Sequence, residues 1–592
     1  MARTPKVGVY VCHCGINIAH TVDVEAVAEY ASRLPCVTVA RHYTYMCSDP
    51  GQNLIKQDIE ELGLTNVVVA SCSPLMHEPT FRTACQEKGV NPYQFEMANI
   101  REQCSWVHAA GAATTDKARQ LVTSAVAKAI LLEPLVERQA DVTPAALVIG
   151  GGVAGIHAAL DIADAGFQVY LVERSSALGG RAMQLHETFP TLESVGKLLA
   201  PVIARVLEHP RVKVLTDTEV AEVGGYYGNF EIKVARSKDA RSQGSKEATS
   251  NLQYPISNIQ VGTIIVATGY DLFDPTALPE FGYGEYPEVI TGMEFERLAT
   301  AGEIIVNGKR PQEVVFIHCV GSRDQHRGLA YCSRVCCMVT ARQAHEVRQM
   351  LPEANVTALY MDVRAFGKGF EEFYDRVRRE GVLYRRGNPS EIIRHGDKLL
   401  VRAEDTLLGK PIELEADLVV LAVGMTPRAD TEEMAALLRL SRSPDGFFME
   451  AHPKLRPVDT ATGGVYLAGC CQGPKDIPDT IAQARAAAGA AMIPLMRGKV
   501  KVEAAVAFVE DELCAGCGMC AELCTYGALA LHPVRGVMTV NAVLCQGCGA
   551  CAMACPSGAM NLHHFTFDQV MAQVDTLVDE VLWWPVREPQ LV

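Results

Sequence analysis

Two cysteine runs constrain this chain more than any other feature. Cys514-x2-Cys517-x2-Cys520-x3-Cys524 recurs as Cys545-x2-Cys548-x2-Cys551-x3-Cys555-Pro556, which puts eight of the 21 cysteines within 42 residues. Short turns let the first three thiols of a run wrap one small object, and the remote fourth thiol crosses to the other. The spacing therefore assigns one [4Fe-4S] cluster to Cys514, Cys517, Cys520 and Cys555, and a second to Cys545, Cys548, Cys551 and Cys524. A pair of zinc knuckles is the alternative, but zinc sites rarely show this doubled run.

Composition sets the frame for the other cysteines. With 48% hydrophobic and 21% charged residues, the chain is expected to be globular, and its 592 residues suggest about four domains. No run of about 18 apolar residues would span a bilayer, and no apolar signal core precedes residue 7. A cytoplasmic location with reduced thiols is therefore expected, and there clustered cysteines mean metal or redox chemistry. The net charge of -15 argues against nucleic acid as a partner.

Apolar β-branched runs at 7–11 and 67–70, each followed by a helical pattern (24–33 and 79–89), predict an N-terminal α/β domain with a parallel sheet over 1–140. An Ala/Leu-rich helix is expected over 115–140. Further strands are expected at 263–266, 313–317, 357–361, 417–422 and 464–467, and the polar stretch 236–258 as a hairpin loop or mobile connection. Apolar residues at helical spacing predict a helix over 567–584, packing on its own cysteine module or docking a partner. The boundaries expected are 141–305 and 411–500 for two parts of a flavin lobe, 306–410 for a domain inserted between them, 501–566 for the two-cluster module and 567–592 for a docking helix and tail.

A strand at 145–149 runs into Gly150-x-Gly152-Val153-Ala154-Gly155, a helix follows, and a second strand at 168–172 ends at Glu173-Arg174. Strand, glycine turn, helix, strand and acid together are a strong dinucleotide signal, with the pyrophosphate at the helix N-terminus and Glu173 accepting from ribose hydroxyls. Gly179-Gly180-Arg181, Val266-Ala267-Thr268-Gly269 and Val465-Tyr466-Leu467-Ala468-Gly469 resemble the later segments of thioredoxin-reductase-like flavoproteins. This favours FAD over NAD, or over a bare glycine turn. The fold class expected is thus α/β: a two-lobed, thioredoxin-reductase-like FAD-binding Rossmann core, an N-terminal α/β domain and a C-terminal two-cluster ferredoxin domain.

Proteins of that type carry a second glycine fingerprint for NAD(P)H. At the expected place this chain reads His318-Cys319-Val320-Gly321-Ser322-Arg323, then Tyr331-Cys332-Ser333-Arg334-Val335-Cys336-Cys337. Cys319, Cys332, Cys336 and Cys337 offer four thiols where a nicotinamide would otherwise bind. This favours a third cluster beside the flavin over direct nicotinamide oxidation.

In the first domain Cys12, Cys14, Cys47 and Cys72 follow strands whose carboxyl ends meet at one sheet edge. They are expected to hold a further [4Fe-4S] cluster, with Cys104 a fifth candidate and free thiols the alternative. Cys36 and Cys85 fit no loop set and read as core. Cys470-Cys471 read as packing, and His563-His564 as a solvated turn.

The eight C-terminal ligands resemble bacterial two-cluster ferredoxins, with Thr525 where proline usually follows the fourth cysteine. The 318–323 and 332–337 motifs resemble the HdrA-like family, the A-type subunits of heterodisulfide reductase. So do Gln472-Gly473-Pro474-Lys475-Asp476-Ile477-Pro478-Asp479, Cys12-His13-Cys14-Gly15, and the run from Glu96 to Trp106. The resemblance covers nearly the whole chain. It implies an FAD and iron–sulfur component of anaerobic electron-transfer complexes, often performing flavin-based electron bifurcation, with the disulfide reduced on a partner protein. The partners it implies are HdrB-like and HdrC-like proteins, a hydrogenase or dehydrogenase that brings in electrons, and ferredoxin, around a homodimer core. It adds Lys475, Asp476 and Ile477 to the flavin contacts. It also brings in Arg342, where the family is expected to show Lys near the flavin. Either cation would stabilise anionic reduced flavin, but Arg does not shuttle protons near neutrality.

Two departures from the family stand out. Residues 187–318 contain no cysteine, so a ferredoxin module carried there by the methanogen version is missing, and Phe189-Pro190-Thr191 continues as Leu192-Glu193-Ser194-Val195 without the cysteines often found there. The chain is similar in this to a bacterial branch that joins other dehydrogenase, hydrogenase or reductase partners. Two rivals stay open: an NAD(P)H:acceptor oxidoreductase of the glutamate-synthase small-subunit type, and a non-bifurcating electron relay.

Overall fold

The computed structural model describes residues 4–237, 257–326 and 329–578. It contains two compact units, one built from residues 1–140 and 501–592 and the other from 141–500.

In the first unit, four parallel strands lie in the order Val37–Tyr43, Val7–Cys12, Asn66–Ser71, Phe95–Asn99. The two central strands are wholly buried, as their unbroken apolar runs require. Helix Val24–Ala31 starts at an Asp23 cap whose side chain accepts from the Ala26 amide. Helix Pro74–Glu87 begins five residues before the expected 79–89, because Ser73 caps it and Pro74 suits its first turn, while Pro79 is tolerated inside. The Ala-rich helix occupies Ala112–Ile130 rather than 115–140. Pro134 lies just beyond its end, and proline does not continue a helix.

The cysteine module is two short antiparallel pairs, Ala507–Val509 with Met560–Leu562 and Leu529–Leu531 with Met538–Val540. Helix Phe567–Val578 packs on helix Ala112–Ile130 of the same unit. Its expected continuation to 584, the tryptophans included, lies outside the described residues beyond 578.

A polar knot sits in this unit. Lys128, 1% exposed, places Nζ 2.8 Å from Glu96 Oε2 and 3.9 Å over the Phe565 ring, and His564 Nε2 lies 3.5 Å from the same carboxylate oxygen. His563 stacks on Phe508 at 4.3 Å. The two histidines are thus not a solvated turn. A positive φ of 71° at His564 turns that ring inward to the buried carboxylate, which adjacency in sequence does not reveal.

In the second unit five parallel strands run in the order Val465–Leu467, Thr263–Val266, Ala145–Ile149, Gln168–Val172, Val212–Leu215. An antiparallel sheet of Thr218–Tyr226, Asn229–Arg236 and Ser257–Val261 accompanies them. The last two strands flank the polar stretch, whose residues 238–256 lie outside the described residues.

A second parallel sheet runs Val289–Thr291, Leu418–Val423, Glu313–Val320, Asn355–Tyr360, Leu383–Arg386, with an antiparallel sheet of Pro389–His395, Lys398–Asp405 and Lys410–Ala416 beside it. The inserted lobe therefore takes in strands on both sides of the expected limits at 306 and 410. Those strands are central or edge members of its sheet, and only pairing reveals that.

Candidate functional site

At the carboxyl end of Ala145–Ile149 each fingerprint glycine has its own physical reason. Gly150 has φ 110°, and a Cβ there would stand 2.3 Å from the Ala267 carbonyl oxygen. A Cβ on Gly155 would meet the Gly150 carbonyl oxygen at 1.8 Å, so only glycine lets helix Val153–Asp164 seat against its strand. A Cβ on Gly152 would meet nothing within 4 Å. That position opens on free space at a helix N-terminus, where amides face outward for a pyrophosphate. The residues present thus fit a dinucleotide.

The neighbouring residues shape the same turn. Gly180, at φ 57°, would bring a Cβ to 3.1 Å from the Gly152 Cα. Glu173 accepts from the Gly151 amide at 2.6 Å and the Ser175 amide at 2.8 Å, which ties the acid to the loop. Arg181 donates to the Tyr270 carbonyl at 2.9 Å and pairs with Asp271 at 2.8 Å, just beyond Ala267, Thr268 and Gly269. Arg174 pairs with Asp430 at 3.1 Å.

Lys475 is 8% exposed and donates to the Gly469 and Gly473 carbonyls and the Gln472 side chain, all at 2.9–3.0 Å. Burial lowers its pKa. Asp476 caps helix Ile477–Arg497 by accepting from the Asp479 amide at 2.8 Å. Cys470 and Cys471 are buried, and each thiol donates to backbone carbonyls.

Arg342 is 1% exposed on helix Cys336–Met350. Its guanidinium is bound by Glu296 and, at 2.8 Å, by Glu346, which also binds His186. The sequence motif placed a cation here but gave no sign of the two carboxylates that occupy it.

Cys319, Cys332, Cys336 and Cys337 come together at the end of Glu313–Val320 and the start of the helix. Charge on any of the other three thiols would disfavour charge on Cys336. Burial, and then those neighbours, push its pKa well up; Cys319 is pushed up to about 11 by burial first and then Cys337. Positive φ angles at Cys319 (59°), Arg323 (59°) and Arg334 (62°) mark the tight loops around the set. Such strain persists only where surrounding structure enforces it.

In the cysteine module the fourth cysteine of each run lies near thiols of the other run. Cys524, Cys545, Cys548 and Cys551 line one shallow hollow that opens to solvent. Cys520 lies within electrostatic reach of Cys517 and Cys555. Matching glycines make the turns: a Cβ at Gly516 would stand 2.2 Å from the Gly536 oxygen, and one at Gly547 2.5 Å from the Ala505 oxygen. Backbone amides of Met538, Ala528 and Ala507 donate to Cys514, Cys524 and Cys545 at 3.3–3.4 Å. Among the described residues no three His, Cys, Asp or Glu side chains converge on a single-ion site. Four cysteine thiols lining one hollow suit an iron–sulfur cluster, which thiolates hold.

The N-terminal thiols also approach one another. Cys12 lies within electrostatic reach of Cys14 and Cys47, and Cys72 within reach of Cys14. The Cys14 and Met46 amides donate to Cys12 Sγ at 3.3 and 3.4 Å. Arg101, unnoticed in the sequence, donates to Cys14 Sγ at 3.3 Å from the wide turn Arg101–Ser105. Cys104 is turned away, its thiol donating to the Thr114 carbonyl at 3.3 Å inside the core. Cys85 is fully buried, and Cys36 packs at the edge of the core.

Fold and site together define a flavin-dependent oxidoreductase fused to a two-cluster ferredoxin. Residues 144–491 match the family described as pyridine nucleotide-disulphide oxidoreductase, and residues 513–559 match the 4Fe-4S dicluster domain. Thioredoxin reductase of T. acidophilum is 16% identical, covering 59% of this chain and 98% of its own, with a TM-score of 0.40.

Over its full length the chain is 48% identical to the A-type subunit of the H(2):CoB-CoM heterodisulfide,ferredoxin reductase of Methanothermobacter marburgensis, covering 97% of this chain and 98% of the relative. It is 49% identical to the second A-type iron-sulfur subunit of the CoB--CoM heterodisulfide reductase of Methanopyrus kandleri, covering 89% and 91%. The chain belongs to the HdrA family of heterodisulfide reductase, an oxidoreductase family of flavin and iron–sulfur proteins. The first alignment runs over 646 positions, more than the 592 residues here, so that relative has segments without a counterpart in this chain. Among the described residues no helix is long and apolar enough to cross a membrane.

Proposed function

We propose that this chain splits or joins electron pairs between a two-electron donor, ferredoxin and a higher-potential, disulfide-type acceptor on a partner protein. Bound FAD would supply the exchange between two-electron and one-electron transfer, and the clusters would carry single electrons. The observation that carries the reading is the four-thiol set Cys319, Cys332, Cys336 and Cys337 standing where a second glycine fingerprint is expected.

The chain's own residues hold and tune. Gly150, Gly152, Val153, Ala154 and Gly155 seat the pyrophosphate, Glu173 the ribose, and the buried Lys475 braces the loop of Gly469 behind it. Four thiol sets hold four [4Fe-4S] clusters, and the exposed Cys517 and Cys548 make the C-terminal pair the exchange point with other proteins. Arg342 is held by Glu296 and Glu346, which counter its charge and fix the inserted lobe's helix. The partners proposed are HdrB-like and HdrC-like proteins, ferredoxin, and a hydrogenase or dehydrogenase that brings in electrons, around a homodimer in the cytoplasm.

Anaerobic purification of the full complex tests this. One flavin and about sixteen irons per chain are expected, at four per cubane set. With donor supplied, ferredoxin reduction should require the high-potential acceptor. Ferredoxin reduction without that acceptor overturns bifurcation, and rapid bleaching of the isolated chain's flavin by NADH would instead mark a nicotinamide-linked enzyme.

A further inference from the structure

The wide turn Arg101–Ser105 aims a buried cation at the N-terminal thiols. Asn99 Oδ1 accepts from the backbone amides of Arg101 and Glu102 at 3.3 and 3.0 Å, which fixes how the chain leaves strand Phe95–Asn99. The turn is a single turn of π-helix, a rare form found mostly at functional positions. Arg101 is 8% exposed. Glu102 accepts from two of its donors, Nε at 3.2 Å and Nη2 at 2.6 Å, and Nη2 also lies 2.8 Å from the Met76 sulfur. The Trp106 ring lies against the guanidinium, 4.5 Å from ring centroid to Cζ. This clamp leaves Nη1, and Nη1 donates to Cys14 Sγ at 3.3 Å.

A guanidinium stays charged when buried, so each of its N–H groups needs an acceptor. A neutral thiol is a weak one, whereas a thiolate sulfur accepts a charge-assisted hydrogen bond. The neighbouring sulfur is served in the same way. Cys12 Sγ accepts from the Cys14 and Met46 amides at 3.3 and 3.4 Å. In the C-terminal module the Met538, Ala528 and Ala507 amides donate to Cys514, Cys524 and Cys545 at 3.3–3.4 Å. The two cysteine sets thus present sulfurs to N–H donors alike, which fits the same kind of cluster in both. The N-terminal set adds a side-chain cation to its backbone donors, and that guanidinium also lies within electrostatic reach of Cys72 and Cys47.

We propose that Arg101 Nη1 donates a hydrogen bond to the Cys14 sulfur of a cluster held by Cys12, Cys14, Cys47 and Cys72, and so raises that cluster's reduction potential. This rests on the N-terminal cluster being present, as proposed under the function. A reduced cluster carries one more negative charge than the oxidised one. A donor at its sulfur therefore stabilises the reduced form more, and hydrogen bonds to cluster sulfurs are among the factors that set potential. Glu102 balances the guanidinium, so the effect comes from the aimed N–H and not from an unpaired positive charge. Arg101 is a positioning residue in this role: it touches a ligand, not the reacting flavin.

The test uses the full chain, purified anaerobically. The EPR signal that disappears in the Cys14→Ala/Cys72→Ala double variant identifies the cluster. Arg101→Met/Glu102→Gln removes the donor and leaves the local net charge unchanged. Its iron content should be retained, while that signal's midpoint moves negative by about tenfold in the one-electron equilibrium, or about 59 mV. An unchanged midpoint overturns the inference. Glu102→Gln alone keeps the donor and removes a negative charge, so its midpoint should move positive; a negative shift there would trace the effect to disturbed packing and overturn the assignment. Pulsed EPR gives a second readout that needs no Arg101 variant to fold. With 15N in the arginine guanidinium groups of the unmodified chain, a 15N coupling to the same signal is expected, and its absence overturns the hydrogen bond. If the Cys14→Ala/Cys72→Ala variant keeps its full iron content, the N-terminal cluster itself falls, and the hydrogen bond with it.

Discussion

The C-terminal cysteine module and the four-thiol set of the inserted lobe hold the same kind of ligand in opposite ways. In the module each run supplies three thiols within seven residues, and Cys517 and Cys548 are exposed. In the lobe Cys319 comes from the end of a strand, Cys332 from a loop and Cys336 and Cys337 from a helix start, with the last two buried. Local turns build the first site, and tertiary packing builds the second. The exposed site can meet another protein directly. In the lobe Cys336 and Cys337 are buried while Cys319 and Cys332 are half-buried, so the protein around them has more leverage over the site's potential than it has at exposed Cys517 and Cys548.

The comparison breaks most readily by removing ligands. Cys336→Ala should cost about four irons per chain by removing one cubane, and should also abolish acceptor-coupled ferredoxin reduction, measured on the complex. Cys548→Ala should lower iron by a similar amount but leave donor-driven flavin reduction intact. Equal loss of flavin reduction in both would erase the distinction between an interior and an exchange site.

The glycine turn sharpens it next. Gly152→Leu places a side chain in open space and should empty the flavin site, read by absorbance per chain, while leaving the melting temperature near that of the unmodified apoprotein. Gly155→Ala drives a Cβ into the Gly150 carbonyl and should lose both flavin and stability. Retained flavin in Gly152→Leu would remove the pyrophosphate from that turn.

Smaller effects belong to the first unit. Lys128→Met leaves Glu96 buried without its lysine and should cost about 3–5 kcal/mol in denaturant unfolding. Burial alone would raise the Glu96 pKa, but His564 and Lys128 outweigh it and hold it below the usual carboxylate value. A depressed carboxylate stabilises the fold above its unfolded pKa, and that contribution is lost as pH falls through its folded value. Acid should therefore destabilise the unmodified chain more steeply than Glu96→Gln below the ordinary carboxylate range. Cys104→Ala, at a buried thiol outside the N-terminal set, should cost about 1 kcal/mol and leave iron content unchanged. Cys14→Ala should remove about four irons if that set holds a cubane.

The N-terminal set shows where reading by residue type gives out. Cys12, Cys14, Cys47 and Cys72 were legible because strand ends in a parallel sheet share one edge. Arg101 was not, although it lies within the Glu96–Trp106 motif, because nothing in its neighbours shows that a wide turn swings its guanidinium onto Cys14. Glu296 is similar: it reaches Arg342 from a helix more than forty residues away.

The sequence by itself determined what depends on short range. Cysteine spacing set the two-cluster module, and glycine, strand and acid set the flavin turn, since a few residues of backbone suffice to fold both. The tertiary structure alone decided that His564 is buried against Glu96, that Arg342 lies between two carboxylates, and that the inserted lobe spans Val289–Thr291 to Leu418–Val423. Each of those facts is a long-range pairing of charge or strand. Its energy comes from desolvation and packing among residues far apart in the chain, which no local pattern encodes.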